Sequence, residues 1–316
     1  MALSPYQHRL LYRIAQAYYV EGLTQQEIGQ RFGLSRSKVS RLLDDARRTQ
    51  VVSIIIEPPP TSAAHLENRL ERRYGLDEVV VVATGDADNA LSVARELAPA
   101  AASYLLRTLR GREVIAIAGG KTLRAMIDAL SARSYPGITV VQMVGGMGHP
   151  DAPDHATEQA RRLSQKLESR LVLLPAPGLV SSVAVARALR SDAQIGDTLT
   201  LAANADLALV GLGLLTPESA LVYSGSVGQI DTLNQAGAVG NIAYRCIDRE
   251  GQPLRTEFDE RIVGLSLEQI AAIPRVIAVA GGREKLQLIE AALRSGVLNV
   301  LITDEVVAES LLRLRS

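Results

Sequence analysis

Short, largely apolar segments recur along most of this chain, and longer segments with helical periodicity separate them. Apolar segments of about five residues are typical of strands buried on both faces, and the periodic segments are typical of the helices that cover them. The alternation predicts an α/β fold with a doubly wound, mostly parallel sheet. The predicted strands are 79–83, 114–118, 139–144, 171–174, 206–210, 276–280 and 299–303, with helices near 90–109, 122–132, 155–169, 181–203, 284–295 and 304–314.

The composition limits what can fill the core of this fold. Hydrophobic residues make up 47% of the 316 residues, but aromatic residues make up only 3% and tryptophan is absent. The core must therefore be built from alanine, valine, isoleucine and leucine, which suit parallel strands and their covering helices.

Three consecutive prolines at 58–60 separate the N-terminal region from this alternating pattern. Proline can continue neither a helix nor a central strand, so we expect a linker there. The sequence predicts an all-α domain at 1–57 that ends in a lead-out strand at 51–57. The α/β domain is expected at 58–316.

A helix-turn-helix pattern occupies residues 24–44 of the first domain. Thr24 followed by Glu27 predicts a capping box at the start of the first helix. Gly33 suits the positive φ of the turn, and Ser35 can cap the second helix. The motif predicts DNA binding, and the alternative is a small helical hairpin with a polar outer face.

The early residues of the second helix of such a motif face the major groove. Here they are basic or carry hydroxyl groups, and arginine can form a bidentate contact with guanine. The predicted DNA-binding residues are Thr24, Gln25, Ser35, Arg36, Ser37, Lys38, Ser40 and Arg41. Charge is distributed to match, because residues 1–50 carry eight basic and four acidic residues, against 26 and 30 in the remainder of the chain. The partner is therefore expected to be double-stranded DNA, bound at the N-terminal domain.

The single cysteine, Cys246, excludes a disulfide within the chain and a site with several cysteine ligands. No apolar stretch reaches the length of about 18 residues that spans a membrane, and the N-terminus carries no signal-peptide pattern. These features predict a cytoplasmic protein without a membrane partner.

Glycines follow four of the predicted strands. Ligands of doubly wound sheets bind at the carboxyl ends of strands, where glycines let backbone N–H groups approach an anion. The sequence Gly119-Gly120-Lys121-Thr122 suits an anion best, and Lys285 could add a second cation. The alternative is that these glycines only form tight turns between strands and helices. The four glycine-bearing ends are 119–120, 145–146, 211–213 and 281–282.

More specific motifs are incomplete. A nucleotide-binding P-loop would need glycine at Ile115, and the strand at 139–144 ends without the acid that binds a ribose hydroxyl. Two histidines and two aspartates, His149, Asp151, Asp154 and His155, could bind a metal, but a solvated turn is the favoured interpretation. No cofactor and no metal site are predicted.

Several blocks together resemble the SorC/DeoR-type family of sugar-binding transcriptional regulators. The resemblance implies an effector and oligomerisation domain similar in fold to sugar-phosphate isomerases and deaminases. It also implies a homodimer or homotetramer that binds operator DNA and a small phosphorylated sugar. The blocks are the N-terminal motif and residues 174–177, 205–213, 237–241, 276–282 and 299–305.

The same resemblance assigns roles to effector-site residues. It implies that the phosphate lies on Gly119, Gly120, Lys121 and Thr122, with Lys285 nearby, and that Gly145, Gly146 and Asn241 flank the sugar. Three positions differ from the usual family pattern. Gly119 stands where tryptophan is common, Lys121 stands where Arg or Thr is common, and Asn241 stands where an acid is common.

An enzyme is the main alternative, namely a sugar-phosphate isomerase or deaminase with an appended DNA-binding module. Deaminases of the resembling fold place Asp-Gly-His after the equivalent of residues 211–213, but this chain has Leu214, Leu215 and Thr216 there. Such chemistry needs a general base, so binding without turnover is predicted. A ligand-independent architectural DNA-binding protein is a third alternative, which the large glycine-edged domain disfavours.

Overall fold

The computed structural model describes residues 5–54, 63–147, 155–216 and 229–314. The chain divides into two compact units, Met1–Thr61 and Ser62–Ser316, each with hydrophobic clusters of its own. The N-terminal unit contains α1 (Pro5–Tyr19), α2 (Gln25–Phe32) and α3 (Arg36–Arg48).

The caps of the helix-turn-helix form as the sequence predicts. Thr24 Oγ1 accepts from the Glu27 N–H at 3.3 Å, and the Glu27 carboxylate accepts from the Thr24 N–H at 2.8 Å. Gly33 ends α2 in the left-handed conformation at φ 65°, and Ser35 caps α3 by accepting from the Lys38 N–H. These bonds satisfy backbone donors that helix ends leave without intrahelical partners.

The three helices enclose a small core in which Ile14, Ile28 and Val39 are fully buried. Gly29 allows α2 and the turn to approach closely, because a Cβ there would lie 2.6 Å from the Leu34 carbonyl oxygen. The lead-out strand expected at 51–57 does not form over residues 51–54, and residues 55–57 lie outside the described ranges. The 1–57 boundary remains a prediction.

The second unit confirms the predicted α/β class, with a parallel sheet in the order β1-β9-β8-β5-β2-β3-β4. A short hairpin of β6 and β7 extends the end of β5 in the antiparallel sense. The strands of the second unit are β1 (Glu78–Val82), β2 (Val114–Ile117), β3 (Thr139–Gln142), β4 (Arg170–Val172), β5 (Leu207–Gly213), β6 (Gly240–Ile242), β7 (Arg245–Ile247), β8 (Val276–Val279) and β9 (Val300–Asp304).

Helices cover both faces of this sheet. Helices α5, α6 and α7 share one hydrophobic cluster with alternate strand residues, and α4, α9, α13 and α14 share the other. The helices are α4 (Ala64–Tyr74), α5 (Ala90–Thr108), α6 (Lys121–Ala129), α7 (Ala156–Leu167), α8 (Val183–Ser191), α9 (Ala193–Ala203), α10 (Gln229–Gln235), α11 (Glu257–Glu260), α12 (Leu267–Ala271), α13 (Leu286–Arg294) and α14 (Glu305–Arg313). The segment 181–203 is therefore two helices rather than one, because Asp192 caps a new helix there.

The strand order reverses between β2 and β5. From β2 the chain proceeds to β3 and β4 on one side, whereas from β5 it proceeds to β8 and β9 on the other. The loops that leave the carboxyl ends of β2 and β5 therefore diverge to opposite sides of the sheet and leave a crevice between them. Among the described helices, none is long and apolar enough to cross a bilayer.

Asp304, at the carboxyl end of β9, joins two neighbouring loops. Its side chain is fully buried; Oδ1 accepts from the Val307 N–H at 2.9 Å and caps α14, and Oδ2 accepts from the Gly282 N–H at 2.7 Å. The loop after β8 is therefore held by the strand next to it.

We expect Asp304→Ala to lower the free energy of unfolding by about 2–4 kcal/mol, because two backbone donors lose a buried acceptor. The matched control is Asp192→Ala, which removes an exposed cap and should cost about 1 kcal/mol. Urea denaturation measures both changes. Equal losses in the two variants would show that the Asp304–Gly282 bond adds nothing.

Candidate functional site

A cavity of about 350 Å³ lies at the crevice between β2 and β5. Loops that are far apart in the sequence meet there because the carboxyl ends of parallel strands lie at one edge of a sheet. The cavity is lined by residues after β2, at the end of β5, in the β6–β7 hairpin, after β8 and at the start of α5. They are Ala90, Leu91, Ala94, Gly119, Gly120, Lys121, Thr122, Gly211, Leu212, Gly213, Leu214, Thr216, Asn241, Ala243, Tyr244, Glu284 and Lys285.

The loop after β2 has the features of an anion site. Gly120 has φ 140° and precedes α6, where it provides no side-chain cap, and a Cβ there would face open space. The first N–H groups of α6 thus remain available near the cavity, at the positive end of the helix dipole. The Gln159 side chain donates to the Gly120 carbonyl oxygen at 2.9 Å and holds the loop from behind.

Two lysines line the same cavity. Lys121 begins α6 and is exposed, whereas Lys285 is half-buried in the short 3₁₀ turn Arg283–Lys285 after β8. Removal from water lowers the pKa of Lys285; the positive charge of Lys121 lowers it further, and the carboxylate of Glu284 opposes both effects. A bound anion would relieve the cost of keeping the Lys285 ammonium charged in this site.

The position of Lys285 is fixed by the loop that carries it. The Gly282 N–H is held by Asp304, and the Arg283 N–H donates to the Ala87 carbonyl oxygen at 3.0 Å. The Lys285 N–H donates to the Gly282 carbonyl oxygen at 3.0 Å. The loop is therefore pinned at two places and closed by a hydrogen bond of its own, which suits a cation that must meet its ligand at a fixed point.

Asn241 lines the cavity, but its side-chain amide already forms two hydrogen bonds with backbone groups. Its Nδ2 donates to the Gly213 carbonyl oxygen at 2.9 Å, and its Oδ1 accepts from the Tyr244 N–H at 3.0 Å. The side chain thus ties β5 to the hairpin turn. Its predicted contact with a sugar stays a prediction.

Gly145 and Gly146 are not among the described residues that line the cavity, although the sequence predicts that they flank the sugar. A Cβ on Gly145 would lie 2.6 Å from the Ala176 and Pro177 carbonyl oxygens, and Gly146 forms a bridge with Pro177. Close packing of the loop after β3 against residues 176–177 explains Gly145, and a Cβ on Gly146 would lie 3.0 Å from His155 Cε1. A contact with ligand is not needed to account for them.

The residues considered for metal binding do not form a described site. Of the four clustered residues only His155 lies within the described ranges, and the described residues include no group of three or more metal-binding side chains. Cys246 is buried, and burial raises the pKa of its thiol to about 12, so it stays protonated and unreactive at neutral pH.

Several residues of the cavity escaped the sequence analysis. The start of α5 contributes an apolar side, and the turn of the β6–β7 hairpin contributes Ala243 and Tyr244. These two residues have φ of 48° and 70°, a left-handed conformation that costs roughly 1–2 kcal/mol per residue with a Cβ. Turns of this kind usually contain glycine or asparagine, so an Ala-Tyr pair gives no turn signal in a sequence.

The N-terminal unit brings the predicted basic residues together on the outer face of α3. Arg36, Lys38 and Arg41 are exposed, and no described carboxylate forms an ion pair with them. Arg47 and Arg48, at the other end of the helix, pair with Asp44 at 2.5 Å and Asp45 at 2.6 Å. The uncompensated positive charge of α3 is therefore concentrated in its first half.

The other predicted DNA-binding residues are partly engaged within the motif. The Thr24 hydroxyl is used by the capping box, and the Ser35 hydroxyl caps α3 and lies 3.1 Å from Ser37 Oγ. Gln25 and Ser40 are half-buried. The arrangement brings all eight residues to the start of α2 or α3.

Comparisons with known proteins agree with this architecture. Residues 59–313 match the family described as a putative sugar-binding domain, and residues 9–49 match Sigma-70, region 4. The transcriptional regulator LsrR of Enterobacter sp. is 32% identical over 98% of this chain and 94% of its own length. The deoxyribonucleoside regulator of Bacillus subtilis is 28% identical over 94% of this chain and 95% of its own.

Solved structures extend the likeness to the whole fold. The full-length sorbitol operon regulator SorC from Klebsiella pneumoniae matches with a TM-score of 0.74 and 25% identity, covering 97% of this chain and 99% of that one. A DeoR family transcriptional regulator from Listeria monocytogenes matches with a TM-score of 0.72 and 28% identity over 78% of this chain and 98% of its own. The chain therefore belongs to the family of DNA-binding transcriptional regulators in which a helix-turn-helix unit precedes a sugar-binding domain.

Proposed function

We propose that α3 of this regulator reads operator DNA and that a small phosphorylated sugar in the cavity controls how tightly the operator is bound. The main support for a phosphate site is that Lys121, Lys285 and the uncapped start of α6 all meet at one cavity. Backbone N–H groups at a helix start and two ammonium groups form a site for a compact dianion. A cavity of about 350 Å³ accommodates a small sugar attached to it.

The regulator acts as a homodimer or homotetramer. A helix-turn-helix normally reads one half-site, and a symmetric assembly places two reading helices on successive turns of the duplex. The assembly has two arrangements that differ in their affinity for the operator. Ligand binding shifts operator affinity by no more than the difference between the ligand's affinities for these two arrangements. The uncompensated positive charge in the first half of α3 supports its role as the reading helix.

The effector is bound without turnover. Glu284 is the only carboxylate among the described residues that line the cavity, it is exposed, and no described histidine lines the cavity. An isomerase or deaminase needs a general base placed against the substrate, so these surroundings favour binding over catalysis.

Arg36→Ala and Arg41→Ala should each weaken operator binding by about 1–3 kcal/mol and relax base preference, because each removes a candidate base contact. The duplex is one selected by the wild-type protein from a random-sequence pool, and fluorescence anisotropy measures the affinity. Arg48→Ala is the matched control, since Arg48 pairs with Asp45 and should contribute little. If both test variants bind the operator as tightly as the wild type, the first half of α3 is not the surface that contacts the bases.

Anion affinity should fall as the pH rises. The pKa of Lys285 is lowered in the free protein, and a bound anion favours the charged form, so above that pKa binding requires proton uptake. Affinity then decreases by up to about tenfold per pH unit. Calorimetry with sulfate over about pH 6–10 tests this without titration of the probe.

Lys285→Met should bind sulfate more weakly and lose this pH dependence. Lys166→Met, which removes the same charge from a lysine that donates to the Leu130 carbonyl oxygen, should retain the wild-type profile. A flat profile for the wild-type protein would contradict the role of Lys285.

Ribose 5-phosphate, glucose 6-phosphate and fructose 6-phosphate should be recovered unchanged after prolonged incubation with the purified protein. Phosphorus NMR distinguishes each compound from its isomers. Conversion in proportion to protein concentration would favour the enzyme alternative instead.

A further inference from the structure

The turn of the β6–β7 hairpin is unusual because both of its central residues are L-residues in a left-handed conformation. Ile242 pairs with Arg245, which leaves Ala243 and Tyr244 as a two-residue turn at φ 48° and 70°. Glycine or asparagine would adopt this conformation at lower cost. Strained conformations of this kind persist only where the surroundings enforce them, and they concentrate at functional sites.

Three sets of hydrogen bonds enforce the turn. The Ala243 N–H donates to the Gly211 carbonyl oxygen at 3.2 Å, and the Tyr244 N–H donates to Asn241 Oδ1 at 3.0 Å. The buried guanidinium of Arg245 donates to the carbonyl oxygens of Asp259, Gly264 and Leu265 at 2.7, 3.0 and 2.8 Å. The turn is thus fixed from β5, from β6 and from the segment 259–265.

In this conformation the Tyr244 side chain packs against the loop after β2. The residue is 6% exposed, and its hydroxyl end lies so close to Gly119 that a Cβ on Gly119 would collide with Tyr244 Oη. The same Cβ would also lie 3.1 Å from Ala156 Cα. Gly119, immediately before Gly120 and α6, is therefore packed closely against both the Tyr244 hydroxyl and the start of α7.

We propose that Tyr244 is a positioning residue of the anion site, whose hydroxyl end packs against Gly119 so that the backbone N–H groups at the start of α6 point at the ligand. The strained turn is retained because it delivers a long, rigid side chain to that point. This inference rests on the proposed anion site at residues 119–122 and assigns the support that keeps its geometry. Other atoms of Tyr244 line the cavity, but its hydroxyl is buried away from solvent beside Gly119, so the proposed role of the hydroxyl end is to support the loop.

A tyrosine that only fills the core would behave differently. Its truncation would lower stability and leave the affinity of the folded protein for an anion unchanged. A positioning residue loses affinity in proportion to the support removed, because a site loosened by about 1 Å binds its ligand poorly. Measuring stability and anion affinity in the same variants separates the two roles.

The experiment compares Tyr244→Ala and Tyr244→Phe, with sulfate and ribose 5-phosphate as probes in calorimetry. We expect Tyr244→Ala to bind both probes about tenfold or more weakly, and Tyr244→Phe to lie between it and the wild type, because the ring supports part of the loop. Operator affinity in the absence of probe should stay at the wild-type value. Thermal melting without probe reports the stability of each variant.

The matched control is the pair Tyr104→Ala and Tyr104→Phe. Tyr104 is another buried tyrosine of the same unit and is not among the residues that line the cavity; it lies ten residues beyond Ala94 on α5, about 15 Å along the helix. Tyr104→Ala should melt at a lower temperature yet keep its probe affinity within about twofold.

The outcomes discriminate clearly. Wild-type affinity for sulfate in both Tyr244 variants would overturn the inference and leave the proposed site intact. Failure of the wild-type protein to bind either probe would overturn the proposed site itself. If Tyr244→Ala does not fold, hydrogen exchange of Tyr244→Phe tests the inference instead. We expect the backbone amides of residues 120–122 to exchange faster in this variant than in the wild type. Unchanged exchange would overturn the inference.

Discussion

Parallel hydrogen bonding of β2, β5 and β8 is the constraint on which the candidate site depends. Each of these strands ends at the same edge of the sheet, and each is followed by a glycine-containing segment. Residues 119–122 and 281–285 are separated by more than half of the chain, yet the register of three strands brings them to one cavity. A slip of one residue in this register would exchange the buried and exposed faces of a strand and separate these segments.

The positive charge at the cavity comes from nearby groups and not from the net charge of the chain. The chain carries 34 basic and 34 acidic residues, so its overall charge provides no attraction for an anion. Two lysines and the start of α6 concentrate positive charge at one cavity, and burial lowers the pKa of Lys285 there. Exposed ion pairs elsewhere on the unit contribute little by comparison, because solvent screens them.

The parts of the fold that were predictable are those in which local sequence and tertiary packing agree. The seven sheet strands are apolar runs, and Thr24, Gly33 and Ser35 are the residues that caps and turns require, so both were recognised. Gly119 to Thr122 and Lys285 were placed at one edge by the rule that governs parallel strands. The structure brings them together as that rule predicts.

The parts that were not predictable depend on contacts between distant residues. The Ala243-Tyr244 turn has no turn-forming residue and exists because Arg245 and Asn241 hold it in place. Gly145 and Gly146 resemble a ligand loop, but side chains there would meet the Ala176 and Pro177 carbonyl oxygens and the His155 ring, respectively. Asp192 divides one periodic segment into two helices, a boundary that periodicity alone does not mark.

The position of β9 has a consequence for synthesis of the chain on the ribosome. β9 lies inside the sheet between β1 and β8, and it is the only strand among the described residues that pairs with β1, so this pairing cannot form until residues 300–304 have been made. Asp304, which holds Gly282 beside the cavity, arrives with that strand. The helix-turn-helix is complete some 250 residues earlier and has a core of its own. A nonsense mutation late in the gene would therefore spare the DNA-reading helices while removing the means by which a metabolite governs them.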